Sequence, residues 1–308
     1  MKRIALLSGL MMIGGLSLAV SGQAPGPSPK AIAAMTIEKV KDNLYVLGGS
    51  GAADQSAFSG GNVAVFITDG GVTLVDAKLA GFGPTIVERV KSVTNKPITR
   101  IINTHTHADH TGSNEFFGAS IENIAQENTK TNMAKMDAFK GEKAQFLPKK
   151  TYKDTLKVGS GKDEIDLYYF GRAHTNGDTF VVFPALRTMH VGDVFAWKAL
   201  PFVDTGNGGS VMEGGKTIGK AVATVKNVDT IINGHIPTST WNDLKEYQQF
   251  LAEFAAFAEK EAKAGKTSEQ AADEYKLDPK YKGYVLSLNP AFGGAKANMD
   301  IAYKELGK

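Results

Sequence analysis

The chain has 308 residues, 22% of them charged and 42% hydrophobic, which excludes wholesale disorder and suits one large domain with extras. Lys and Arg number 35 against 32 Asp and Glu, a formal charge of +3, so there is no general field for nucleic acid or an anionic membrane. There is no cysteine, which excludes disulfides, a thiol nucleophile, a thiolate zinc site and an iron–sulfur cluster.

Residues 1–24 place Lys2 and Arg3 ahead of a nearly unbroken apolar run over 4–20, followed by Ser21, Gly22 and Ala24. This is the pattern of a secretory signal peptide. The run is at the short limit for crossing a bilayer, so cleavage is expected, leaving a mature chain of charge +1 that is periplasmic or secreted. Residues 25–35 read as a flexible leader.

Strands are expected at 44–47, 62–68, 72–76, 100–104, 164–170, 179–183, 188–191 and 230–233, short apolar runs bounded by Gly, Asn or Asp. Helices are expected near 84–92, 128–139 and 216–225. Early strands form hairpins and later ones alternate with helices, which points to a layered α/β architecture with partly antiparallel sheets. The clearest helix runs over 242–264, where Leu244, Tyr247, Leu251, Phe254 and Ala258 form one apolar stripe, and Gly265 ends it. Thr267 and Gln270 then fit a capping box. Residues 36–265 are taken as the main domain and 266–308 as a C-terminal helical extension. Its tyrosines have two uses open to them, covering the edge of the active site or mediating a dimer.

Chemistry concentrates in Thr104-His105-Thr106-His107-Ala108-Asp109-His110, in the loop after a strand. In extended chain His105 and His107 point the same way, and imidazole with carboxylate suits zinc among other first-row metals. His174, Asp193 and His235 each sit after a later strand, so every candidate ligand occupies a strand-end loop, where binding groups converge. His190 is taken as a strand residue. Asp76, ending its strand, is expected to accept a hydrogen bond from a ligand histidine. The run 156–162 lacks the glycine and hydroxyl that a phosphate loop needs. The lysines of 139–153 are expected to be a solvated face.

The HxHxDH motif at 105–110, His174, Asp193 and His235 resemble, in order and spacing, the metal-binding motifs of the metallo-β-lactamase superfamily. Residues 61–76 also resemble its opening strands. The resemblance covers roughly 36–262 and implies an αββα four-layer sandwich with metals at one edge. By position, His105, His107 and His174 resemble the first metal site, and Asp109, His110 and His235 the second. Asp193 resembles the carboxylate that bridges both metals in the glyoxalase II and lactonase branches.

The resemblance implies two Zn2+ per chain, with iron or manganese as alternatives. It also implies a bridging hydroxide that attacks a carbonyl, with Asp109 as both ligand and catalytic proton carrier. The expected partner is a small-molecule substrate, not nucleic acid, with no stable membrane anchor after signal cleavage. A β-lactam, a lactone or other ester, and a thioester compete as substrates. An iron persulfide-type oxygenase and a metal-binding protein without turnover are the alternatives. Specificity is expected from loops 50–61 and 197–210, with Phe58, Trp197 and Phe202 as candidate apolar walls and Lys198 the nearest cation.

Overall fold

The computed structural model describes residues 26–51, 54–288 and 293–308; the expected signal peptide lies outside them. Two sheets form the centre. The first has seven strands in sequential order: β1 (Ile37–Lys41), β2 (Leu44–Leu47), β3 (Val63–Thr68), β4 (Gly71–Val75), β5 (Ile98–Ile102), β6 (Glu122–Gln126) and β7 (Lys150–Tyr152). Its first four strands are antiparallel neighbours, and β4 to β7 are parallel. The second holds β8 (Thr155–Val158), β9 (Ile165–Tyr168), β10 (Phe180–Phe183), β11 (Thr188–Gly192), β12 (Thr230–Asn233) and β13 (Ser239–Thr240). Only its β11–β12 pair is parallel.

Period-two alternation sorts the apolar side chains into layers. Ala64 and Phe66 of β3 and Val181 and Phe183 of β10 meet between the sheets, with Val75, Ile102 and Ile232. Their neighbours point outward. Val63, Val65 and Leu74 pack on α1 (Pro29–Ala34) and α2 (Gly83–Lys91). Further along the chain come α3 (Ala108–Thr111), α4 (Asn114–Phe117) and α5 (Glu127–Met133). On the other side, Phe180, Val182 and Ile231 pack on α6 (Val211–Thr224), α7 (Trp241–Lys263), α8 (Ser268–Glu274) and α9 (Ala295–Glu305). The result is the expected four-layer αββα sandwich with C-terminal helices. Among the described residues no helix is long and apolar enough to cross a membrane.

Three expectations are corrected. Residues 29–34 are not a flexible leader but a short helix, capped by the Ser28 hydroxyl and anchored by buried Ala31 and Met35. The helix expected over 128–139 stops at Met133, because Asn132 turns its amide onto Asn176 instead of continuing an apolar stripe. The C-terminal extension contributes to the core, since Tyr275, Tyr281, Tyr284, Met299 and Tyr303 are all buried against α6 and α7. Tyr281 and Tyr284 pack on Phe250, so these two rings neither cover the active-site edge nor face outward to a partner. The capping boxes at Thr240 and Thr267 start α7 and α8. The lysines of 139–153 make exposed pairs, Lys143 with Glu115 and Lys150 with Glu122.

Candidate metal centre

The parallel pairs β4–β5 and β11–β12 end at the same edge of the sandwich, and β9 runs in the direction of β11. The loops leaving these strands therefore meet. The loop after β5 carries His105 and His107, and α3 turns Asp109 and His110 out of the same run. The loop after β9 brings His174, the turn after β11 brings Asp193, and the loop after β12 brings His235.

All seven expected ligands come together in two groups of four that share one member. His105, His107, His174 and Asp193 form the first, and Asp109, His110, Asp193 and His235 the second, with donor atoms in each within 4.8 Å of one another. His174 Nε2 lies 2.9 Å from His107 Nδ1. Asp193 Oδ1 lies 3.2 Å from His110 Nε2, and Asp193 Oδ2 lies 3.1 Å from His235 Nε2 and 3.8 Å from His174 Nε2. Asp109 Oδ2 lies 3.3 Å from His235 Nε2 and 3.5 Å from His110 Nε2.

The residues fit metal ions. His105 Nε2 is buried without a hydrogen-bond partner, a cost that coordination removes. Behind the ligands, other groups fix the rings. Asp76 takes His110 Nδ1 at 2.7 Å while accepting the Thr104 amide and hydroxyl, and the chain turns there through a left-handed conformation that Asp tolerates (φ 70°). His174 Nδ1 donates to the Phe202 carbonyl at 2.7 Å, and His107 Nε2 meets Asp204 Oδ2 at 2.8 Å. His190 stays apart in β11, bonded to the Asn62 carbonyl and the Gly192 amide.

Electrostatics divides the cluster. Burial, with His110 and His174 nearby, holds His105 well below its ordinary pKa, and burial next to His107 brings His174 down to about 4. Both imidazoles are thus neutral, as ligands must be. Burial works against the charged forms in the other group too, but there the partners win. The carboxylates of Asp193, Asp109 and Asp76 hold His110 well above its usual value, and Asp193 and Asp109 raise His235 to about 9. The same pairs hold Asp193 and Asp109 well below the carboxylate range against their desolvation. The anionic carboxylates packed against these two imidazoles make the second group the place where a cation is wanted.

Close packing keeps these atoms in place. A Cβ on Gly61 would overlap the His110 ring, and one on Gly234 would overlap Asp193 Oδ1. A cleft of about 350 Å3 opens over the cluster, walled by Phe58, Leu79, Trp197 and Phe202, with Gln55 at its rim. The three expected wall residues all line it.

The sequence reading did not find Asp204, Asp178 or Lys78. Asp178 is buried beneath the His174 loop and accepts the Thr175 amide and hydroxyl. Lys78 is fully buried and donates to the carbonyls of Gly48, at 2.9 Å, and Gly60, at 3.4 Å. Asp204 had one local signal, the Asp-Thr-Gly-Asn turn in which it accepts the Asn207 amide.

A family model described as the metallo-beta-lactamase superfamily matches residues 57–235, more than half of the chain and from Phe58 to His235 of the cleft. The chain belongs to the metallo-beta-lactamase superfamily. Members of this superfamily are generally hydrolases that bind metal ions, and the clustered His and Asp side chains suit that. Metallo-beta-lactamase type 2 of Elizabethkingia meningoseptica is 26% identical over 234 residues, 73% of this chain and 87% of that protein. The 2,4-dinitroanisole O-demethylase subunit alpha of a Nocardioides strain is 33% identical over 100 residues, 32% of this chain and 29% of that one. Among solved structures, the DIM-1 metallo-beta-lactamase exposed to ceftazidime superposes with a TM-score of 0.60 at 22% identity, covering 72% of this chain and 97% of its own. A metallo-beta-lactamase from Pontibacter korlensis gives 0.60 at 17% identity, covering 70% and 98%. At these identities the superpositions speak for the fold alone.

Proposed function

We propose that this superfamily member is an exported hydrolase that holds two zinc ions and uses activated water to open a β-lactam, lactone or other ester. The observation that carries this is Asp193, whose carboxylate belongs to both ligand groups. Five imidazoles and two carboxylates without a thiolate suit zinc, and neutral His105 and His174 suit its first position. Zinc bound there supplies Lewis acidity and lowers the pKa of water from 15.7 to about 7, which gives a nucleophile at neutral pH.

The chain's own residues do the rest. His105, His107 and His174 would hold the first position and Asp109, His110 and His235 the second, with Asp193 offering its carboxylate to both groups. The Asp109 side chain is 20% exposed toward the cleft, and its carboxylate oxygens are proton acceptors there. It takes the proton released by the attacking water and passes it to the leaving group. Phe58, Trp197 and Phe202 exclude bulk water around the scissile bond. Export rests on the signal-peptide pattern of residues 1–24, with which a cysteine-free composition is compatible.

The test is hydrolysis of nitrocefin and of para-nitrophenyl butyrate, side by side, by zinc-loaded protein and by His107→Ala, with metal content measured. Turnover of either substrate, lost in the variant and on chelation, is expected. Turnover by His107→Ala at the wild-type rate, or bound iron with consumption of dioxygen, would overturn the reading.

A further inference from the structure

The cleft has a charge pattern of its own. Its floor is the ligand cluster, and its walls are two aromatic rings, an indole and an aliphatic side chain. No Lys or Arg lines it among the described residues, and the chain positions outside them at 52–53 and 289–292 are not basic either. The two basic residues adjoining wall residues in the sequence are committed elsewhere. Lys78 lies under the floor with its ammonium on two backbone carbonyls. Lys198 points away, 2.8 Å from Asp243 Oδ1 and over the Tyr284 ring at 5.6 Å.

A substrate carboxylate next to the scissile carbonyl would thus meet aromatic faces, which carry the negative side of the ring quadrupole, with no Lys or Arg among the described residues to compensate its desolvation. Its other recourse would be the metal positions, which the reacting carbonyl and water need. An uncharged apolar substituent meets none of these penalties and gains by burial against Phe58, Trp197 and Phe202. At about 350 Å3 the cleft sits at the small end of the ~300–1,000 Å3 usual for small-molecule pockets.

Resting on the hydrolase reading, we infer that the substrate is an uncharged ester or lactone with an apolar, ring-bearing substituent, bound between Phe58, Trp197 and Phe202, and not a carboxylate-bearing molecule. The reaction is plain hydrolysis. The water oxygen bonds to the acyl carbon, the bond from acyl carbon to alkoxy oxygen breaks, the alcohol leaves with a proton, and nothing is oxidised or reduced.

A matched pair of unreactive amides tests the pocket apart from the chemistry. Butyryl-para-nitroanilide and succinyl-para-nitroanilide differ in a terminal methyl against a terminal carboxylate, and both are read by quenching of tryptophan fluorescence, since Trp197 lines the cleft. For the zinc-loaded full chain the butyryl compound is expected to bind about tenfold tighter or more. Phe58→Arg, at a half-buried rim position, is expected to reverse that order. Equal or tighter binding of the succinyl compound by the wild type, or binding of neither, would overturn the inference. The corresponding para-nitrophenyl esters then report on catalysis. If the amides bind in the expected order and neither ester is hydrolysed, the pocket assignment stands and the hydrolase reading falls.

Discussion

The imidazole of His107 is held from both sides, with Nδ1 toward His174 and the ligand group and Nε2 on Asp204 at 2.8 Å. The carboxylate is itself pinned by the Asn207 amide and side chain, and despite half-burial its bonds to His107 and then to Asn207 hold it well below the ordinary carboxylate range. It is therefore a fixed anion that selects the tautomer with Nδ1 free for a metal. Asp204→Ala is expected to weaken metal binding at the first position by roughly 10–100-fold, measured by competition with a chromogenic chelator. Affinity unchanged from wild type would remove Asp204 from the site. The seven ligands were legible in the sequence because each follows an apolar run that announces a strand end. Asp76 was legible for the same reason. Asp204 was not, since its partner lies 97 positions away and no local pattern encodes that meeting.

At the scale of elements, two loops shape the cleft and each is tied down from outside it. The loop between β2 and β3 has both its stems on one ammonium, because Lys78 reaches the carbonyls of Gly48 and Gly60. The loop from Trp197 to Ser210 leans on the C-terminal extension. There Val285 donates to the Lys198 carbonyl, the Asn298 amide reaches the Pro201 carbonyl, and Glu305 caps the start of α6 through Ser210, Val211 and Met212. Burial lowers the Lys78 pKa to about 7, with Asp109 and Asp76 opposing. Between that value and its ordinary one near 10.5 the unfolded chain binds the proton that the native chain sheds, so this lysine makes stability rise with pH over that window. The difference in unfolding free energy between wild type and Lys78→Met, taken from urea titrations at successive pH values, is expected to shift in favour of the wild type from neutrality toward pH ~10. A difference independent of pH would contradict it.

Eight strands were readable from β-branched runs. The remaining five, β1, β6, β7, β8 and β13, are short or carry charged and polar residues such as Glu38, Lys39, Glu122 and Lys157, and only pairing makes them strands. Helix was expected within 266–308, but not the bounds of α9, because its polar sequence buries only Asn298, Met299, Ala302 and Tyr303.

For the molecule as a whole, the ligand set is divided between the sheets. His105, His107, Asp109 and His110 follow the first sheet's β5, while His174, Asp193 and His235 follow strands of the second. Each group of four draws on both. A bound ion is therefore a strap across the two halves, available only when both are folded. Zinc at a hundredfold excess over its dissociation constant is expected to add about 2.7 kcal/mol per position, shifting the melting temperature upward by several degrees in calorimetry and reversing with a chelator. A melting temperature indifferent to zinc would argue against binding at these groups. The layered architecture was legible because periodicity and strand-end motifs are local. How the tail is folded into the second half's core was not, because that depends on contacts between distant segments.

The glycines beside the cluster carry this dependence into the space of sequences. Gly61 and Gly234 have no side chain to offer a metal or a substrate, yet a single methyl group at either would occupy the volume of the His110 ring or of Asp193 Oδ1. Among all variants of this chain, these two positions should therefore be as intolerant as the ligands themselves. A profile of permitted substitutions would outline the centre by two residues that have no side chain at all.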